Sequence, residues 1–166
     1  MSKSPALTGG PDFGSLAHAI GFAVALASAL NIYVFAFSPP DVLAPGEGYW
    51  IRSPAGWVIG VVWIGLFAMM GAARWRLISI ESAAARRAAA WTTGLLLLCA
   101  AYPVYTFGLR SAEIGFVGNL ATLGLAVHAA RTSARVDRLS ALAPAATAGW
   151  LIFATLLIAD QTRWFW

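Results

Sequence analysis

The segment SPAGWVIGVVWIGLFAMM, from Ser53 to Met70, is a proline and glycine turn followed by an uncharged apolar run. Proline is tolerated in the first turn of a helix, where its missing N–H would have no partner anyway, so Pro54 suits a helix start. The run stays free of charge until Arg74, which is long enough to cross about 30 Å of hydrocarbon at roughly 1.5 Å per residue. The segment therefore predicts a membrane-spanning helix.

The composition predicts the same environment for the whole chain. Hydrophobic residues make up 60% of the 166 positions and charged residues only 11%, against roughly 25% charged in ordinary soluble domains. The net charge is +4, but the basic residues stand in short clusters between apolar runs, which argues for lipid headgroups and against nucleic acid. A single cysteine, Cys99, excludes an intramolecular disulfide. We expect an integral membrane protein.

Five apolar runs predict an all-α integral membrane protein, a bundle of five transmembrane helices. The first run contains Ala27-Ser28-Ala29, which resembles a signal-peptide cleavage site, but it stays apolar through Phe37, which favours an uncleaved helix. We expect Arg74 and Arg76 to end the second helix. The predicted segments are a flexible tail at 1–14, one transmembrane domain at 15–160 with helices at about 15–37, 54–73, 88–108, 114–130 and 139–160, and an aromatic tail at 161–166.

The basic residues predict the orientation. Lys3, Arg74, Arg76, Arg86, Arg87, Arg131, Arg135 and Arg138 would lie on one side of five spans, and Arg52, Arg110 and Arg163 on the other. Basic flanks stay cytoplasmic. We therefore expect a bacterial inner-membrane protein with a cytoplasmic N-terminus and a periplasmic C-terminus, and a proline-rich loop around residues 38–52 on the same outer side of the membrane as the C-terminus.

Aromatic residues mark the second helix. Trp63, Phe67 and Met70 fall at i, i+4 and i+7 and share one face, while Trp57 lies about 120° away and nearer the preceding loop. This face could line a ligand wall with Trp57 at its lid. It could equally serve helix packing, with Trp57 and Trp50 as interfacial anchors, because tryptophan is enriched at membrane surfaces.

Small and polar residues raise three further expectations. The fourth helix repeats small residues at every fourth position, which favours close approach of another helix and a homodimer contact; these are Gly118, Thr122, Ala126 and Ala130. His18 and His128 lack a second ligand at a suitable spacing, so we interpret them as helix-packing residues and predict no metal site. Asn119 is expected to bridge helices, and the role of Asn31 stays open.

The residues from Pro54 to Ala73 resemble the translocator protein family, also called tryptophan-rich sensory proteins. The family pattern PPxWVFxxxWxxLYxLMGxA is matched at Trp57, Trp63 and Gly71, and Phe67 replaces its tyrosine. Two more segments are similar. Residues 98–108 keep Phe107 and Gly108 of the third family helix, with Cys99 for asparagine and Tyr102 for tryptophan, and residues 150–157, WLIFATLL, resemble WxxFAxxL of the fifth, matched at Trp150 and Phe153.

The resemblance implies a five-helix bundle whose internal pocket, capped by the first loop, binds porphyrins or sterol-like lipids. We therefore expect a receptor or carrier with a sensory, regulatory or trafficking role. The protein is expected to require no cofactor but to be able to hold a porphyrin, pigment or lipid. The expected ligand-binding residues are Trp50, Trp57, Trp63, Phe67, Tyr102, Phe107, Trp150 and Phe153. The sequence contains no HExxH or GxSxG motif and no pair of carboxylates deep in a span, so we do not expect an enzyme. The alternative is an accessory or assembly subunit of a larger membrane complex.

Overall fold

The computed structural model describes residues 13–37, 54–103 and 111–161, and the regular elements within them are α-helices. They are α1 (Phe13–Phe37), α2 (Gly56–Ile78), α3 (Ala83–Pro103), α4 (Ala112–Ala134) and α5 (Arg138–Gln161). The predicted proline-rich loop lies outside the described residues, as do residues 1–12 and 162–166 of the two predicted tails. The other tail residues, 13–14 and 161, belong to α1 and α5. The all-helical class predicted from the sequence is confirmed.

The helices form one bundle around a single main core. Helix α2 packs against α1, α3 and α5, while α4 packs against α3 and, most extensively of all pairs, against α5. Every helix contributes buried residues to the same apolar cluster, and many of them are alanines. Small side chains allow helix backbones to approach closely, which matters in a membrane because packing rather than water exclusion drives helix association. The core includes Ala23, Phe67, Leu95, Ala126 and Leu151.

The prediction that Arg74 and Arg76 end the second helix is wrong. Helix α2 continues to Ile78, and α3 begins at Ala83, so only a short turn separates them. Basic residues mark the depth of the lipid headgroups. They do not end a helix, because its backbone hydrogen bonds are internal and persist in the headgroup layer.

The last turns of α2 are bonded to two other helices. The Nε of Arg74 donates to Oγ1 of Thr93 in α3 at 2.9 Å. The indole Nε1 of Trp75 donates to Oγ of Ser15 in α1 at 2.7 Å. Consecutive residues of α2 point in different directions at this depth, so two adjacent side chains can hold α3 and α1 at once.

Arg76 adds a third connection, to the turn between α4 and α5. Its Nε donates to Oδ2 of Asp137 at 2.9 Å and its Nη2 donates to Oδ1 at 3.2 Å. Asp137 is also the N-cap of α5, since its Oδ2 accepts the backbone N–H of Ser140 at 3.1 Å. Both partners hold the pKa of Asp137 well below its usual range, with the Arg76 hydrogen bond the larger cause. Helices α2 and α4 therefore finish at the same end of the bundle, here called the basic end.

Close packing joins α1 to α2. A Cβ added at Gly71 would lie 2.8 Å from the carbonyl oxygen of Ala19, so only glycine permits this approach. Nearer the opposite end, Nδ2 of Asn31 donates to the carbonyl oxygen of Gly60 at 3.2 Å. The amide of Asn31, whose role the sequence left open, thus bridges two helices.

Four of the five helices are long and apolar enough to cross a membrane. The spans are Gly14–Val34, Gly56–Ile78, Glu113–Ala134 and Arg138–Asp160. Helix α3, over its described residues, is not one of these spans. The third span was predicted to continue to residue 108, which lies outside the described residues. The chain is therefore a membrane-spanning helical protein, and the count of five spans stays a prediction.

The small-residue face of α4 is used within the chain. Thr122 is 1% exposed and Ala126 is fully buried. The packing of a single chain therefore already covers these two residues, whereas Gly118 and Ala130 are partly buried. The homodimer contact through α4 stays a prediction.

Candidate ligand site

An aromatic cluster joins α2 to α3 in the half of the bundle away from the basic end. The ring centroids of Trp63 and Phe67 are 6.0 Å apart, with their planes 74° apart in an edge-to-face contact. Those of Trp63 and Tyr102 are 6.2 Å apart, with the planes tilted by 35°. Both separations lie in the favourable range for aromatic pairs. Three of the residues predicted to bind ligand are thus brought together, and Trp63 is at their centre.

Burial increases along this face of α2 toward the basic end. Trp63 and Tyr102 are partly buried, whereas Phe67 is 2% exposed and Met70 is fully buried. The two deeper residues are therefore packed by the chain's own side chains and form the floor beneath Trp63. Trp63 and Tyr102 keep part of their surface accessible. Cys99, one turn from Tyr102 on α3, belongs to the floor as well, at 3% exposed.

Helix α5 carries a second aromatic pair. The ring centroids of Trp150 and Phe153 lie 5.4 Å apart, with the planes tilted by 39°. Their spacing of three residues puts both side chains on one side of the helix. Both are partly buried, while Leu151 between them is 1% exposed and lies in the core. Helix α5 packs against α2, which is the helix that carries Trp63.

The remaining predicted site residues lie elsewhere. Trp57, in the first turn of α2, is 69% exposed, and its ring presents most of its area to the surroundings of the bundle. Trp50 and Phe107 lie outside the described residues. The role of each of these three as a ligand contact stays a prediction.

Among the residues that the structure describes, the buried side chains of Asn119 and Ser133 have no hydrogen-bond partner. Asn119 on α4 is fully buried, and neither its Nδ2 nor its Oδ1 has a hydrogen-bond partner. The expectation that Asn119 bridges helices is therefore wrong. Two other buried hydroxyls behave differently, since Thr122 donates to the carbonyl oxygen of Gly118 and Thr155 to that of Leu151 within their own helices. Unpartnered amides are rare in protein interiors, because each costs about 1–3 kcal/mol.

The two histidines lie on the outside of the bundle. His18 is exposed, and its Nδ1 is 2.7 Å from the carbonyl oxygen of Gly14 in its own helix. His128 contacts the ring of Trp91 at a centroid distance of 4.6 Å, a pairing that the sequence analysis did not find. No local sequence pattern indicates this pairing, because the two residues lie on different helices. Within residues 13–37, 54–103 and 111–161, no three His, Cys, Asp or Glu side chains are placed to hold a metal ion.

The fold and the site define a class: a helical protein that crosses the membrane several times and carries a partly buried aromatic cluster between its helices. The chain belongs to the TspO/MBR family, whose family model matches residues 50–163. The resemblance found in the sequence is thereby confirmed. No curated protein matches the chain. Membership indicates a ligand-binding role in the membrane.

Proposed function

We propose that the protein is a membrane receptor or carrier that binds a flat hydrophobic ligand between its helices, without catalysing a reaction. The ligand is a porphyrin or another tetrapyrrole, or a sterol-like or isoprenoid-like lipid, and its binding serves a sensory, regulatory or trafficking role. Family membership over most of the chain supports the ligand class. The protein lies in a bacterial inner membrane with its basic end toward the cytoplasm, because basic flanks are retained there.

The observation that carries this proposal is the difference in burial between Trp63 and the residues beneath it. Phe67 and Met70 are packed by the chain itself, while Trp63 and Tyr102 keep accessible ring surface at 6.2 Å from each other. Aromatic rings offer a large rigid area for stacking and apolar contact. A planar ligand would therefore rest on Trp63 and Tyr102, with Phe67 and Met70 as a closed floor.

Titration with protoporphyrin IX in detergent tests the proposal. Trp63→Leu and Tyr102→Leu each remove ring surface, and loss of such an aromatic anchor weakens binding by roughly tenfold or more. The matched control is Phe22→Leu, which removes an aromatic ring from α1 that is 72% exposed. We expect the control to bind like the wild type. Equal affinity in all four proteins would refute the proposed site.

The second candidate is an accessory or assembly subunit, and one observation favours it. Phe67 and Met70, expected as part of the ligand wall, are already enclosed by the chain. Helix α1 also leaves much of its surface open to a neighbour, since only 11% of its span is buried. Native mass spectrometry after gentle detergent extraction separates the two. A stable complex with other subunits supports this candidate, and a monomer or homodimer carrying pigment or lipid supports the receptor.

A further inference from the structure

A contact on the outer surface fixes α3 beside α4 near the basic end. The rings of Trp91 and His128 meet edge to face, with centroids 4.6 Å apart and planes at 75°. Trp91 is 44% exposed, and His128 is exposed too. The pair therefore lies outside the core, on the seam where the two antiparallel helices touch.

Three arginines surround this pair on the side of the basic end. Arg87 precedes Trp91 by one turn on the same face of α3, and Arg131 follows His128 by about one turn on α4. Arg135 stands one further turn along. All three are exposed. Because α3 begins where α4 ends, Arg87 and Arg131 lie at about the same level just beyond the two rings, and Arg135 lies about one turn farther toward the basic end. We call this surface the basic seam.

The charge of the basic seam is not neutralised by the chain. In the part of the chain that the structure describes, no hydrogen bond or ion pair engages the guanidinium groups of Arg87, Arg131 or Arg135. The nearby carboxylate of Asp137 is held by Arg76. By contrast, Arg74 and Arg76 at the same end are bonded within the chain. The seam thus presents positive charge directly above a half-exposed tryptophan.

We propose that the basic seam binds the headgroup of an anionic phospholipid. Arginine matches the geometry of phosphate through paired N–H donors, and tryptophan favours the headgroup boundary. Below the rings, Leu98 on α3 and Leu125 on α4 continue the same strip with partly buried apolar side chains, along which acyl chains would lie. This site is on the lipid-facing surface and is separate from the aromatic cluster between the helices.

The depth of Trp91 argues for a lipid and against an acidic protein partner. Trp91 lies one turn farther from the basic end than Arg87. A ligand that contacts both residues must therefore be charged at the level of Arg87 and apolar at the level of Trp91. A phospholipid has this order of groups along the membrane normal, whereas a cytoplasmic protein would reach the arginines but not the strip below the rings. Basic pockets between helices on the cytoplasmic side are known to take anionic headgroups.

Native mass spectrometry of the intact protein in detergent tests the proposal, using phosphatidylglycerol and phosphatidylcholine with identical acyl chains. We expect the wild type to retain phosphatidylglycerol in preference to phosphatidylcholine. The double variant Arg87→Gln with Arg131→Gln should lose roughly tenfold or more of that affinity. The control is Arg86→Gln, which removes one arginine charge from the face of α3 that carries Thr93, toward α2, and it is compared with Arg87→Gln alone as well as with the double variant.

Further measurements make each outcome decisive. The double variant Arg87→Lys with Arg131→Lys keeps the charge but loses the paired N–H donors, so it should retain more of the preference than the double glutamine variant and less than the wild type. Free glycerol phosphate should not displace the lipid, since it lacks acyl chains. The proposal is overturned if Arg86→Gln and the double glutamine variant lose phosphatidylglycerol equally, if the wild type shows no preference, or if an acidic protein and not lipid is released by the double glutamine variant.

Discussion

Gly71 sets how closely α2 approaches α1. In Gly71→Ala the new methyl group would meet the carbonyl oxygen of Ala19 at 2.8 Å, and a backbone atom cannot move aside without shifting α1. We expect a loss of about 1–3 kcal/mol in the free energy of unfolding. The control is Gly65→Ala, where nothing lies within 4 Å and alanine is the better helix former. Thermal unfolding followed by circular dichroism should separate them, and equal melting temperatures would contradict the tight contact.

Asn119 should behave as a buried amide with nothing to bond. Replacing it in Asn119→Leu removes an unpartnered polar group of similar size, so we expect unchanged or higher stability, by up to about 1–3 kcal/mol. The comparison is Asn31→Leu, which removes the hydrogen bond to Gly60 and should lower stability. Unfolding in detergent measures both. If Asn119→Leu is the more destabilising of the two, the amide has a partner that a single chain does not supply.

At the residue scale, spacing predicted which face of α2 turns inward but not what it meets. Phe67 and Met70 are in the core, as their shared face with Trp63 allowed. The partners Tyr102 and Ser15 come from segments far along the chain, and no local pattern specifies such pairings. For the same reason Asn119 differs from expectation, and the sequence left the role of Asn31 open. Sequence shows that an amide at membrane depth needs a partner, whereas the packing of two distant helices decides whether it obtains one.

At the scale of the helices, Asp137 combines two roles that variants can separate. Asparagine is as good an N-cap as aspartate, so Asp137→Asn should keep the cap of α5 and lose only the exposed ion pair, at a cost below about 1 kcal/mol. Asp137→Ala should lose the cap as well, costing about 1 kcal/mol more. Exposed Glu81→Gln is the control. If the asparagine and alanine variants unfold alike, the capping contact does not contribute.

The pH dependence of the same contact has a definite sign. Because the pKa of Asp137 in the folded chain is held below its usual value, its charged form favours folding. That contribution is complete above about pH 4 and declines as the pH falls through the folded-state pKa. The difference in melting temperature between wild type and Asp137→Asn should therefore be largest at neutral pH and decrease as the pH falls below about 4. A gap that widens in acid would contradict this assignment.

Close-packing faces of helices were easier to predict than their partners. The small residues of α4 were correctly expected to admit another helix, but Thr122 and Ala126 are buried within the chain. A small-residue repeat states only that some helix approaches closely. The short connection between Ala134 and Arg138 supplies that helix from the same chain, since a tight turn makes α5 an antiparallel neighbour of α4.

For the whole molecule, five crossings stay a prediction, and the path of the chain is compatible with it. Arg76 near the end of α2 bonds Asp137 just after α4, so both helices finish at the basic end. Helix α4 can begin at the opposite end only if α3 runs back across the bundle. The 21 residues of α3 span about 31 Å at 1.5 Å per residue. The arginines at its start lower its hydropathy while serving as headgroup anchors.

Reporter fusions test this path. Alkaline phosphatase is active in the periplasm and green fluorescent protein fluoresces in the cytoplasm. With five spans and the basic end inside, a fusion after Glu81 should fluoresce, and one after Trp166 should show phosphatase activity. A fluorescent fusion at Trp166 would mean an even number of crossings, with α3 outside the membrane.

The central claim is that a flat ligand lies on Trp63 and Tyr102 inside the bundle. A structure of the protein in lipid nanodiscs with protoporphyrin IX bound tests it most directly. We predict that the porphyrin ring contacts both side chains within about 4 Å, above the floor formed by Phe67 and Met70. A porphyrin bound instead against exposed Trp57 or on the outer surface of the helices, with Trp63 and Tyr102 uncontacted, would contradict the account.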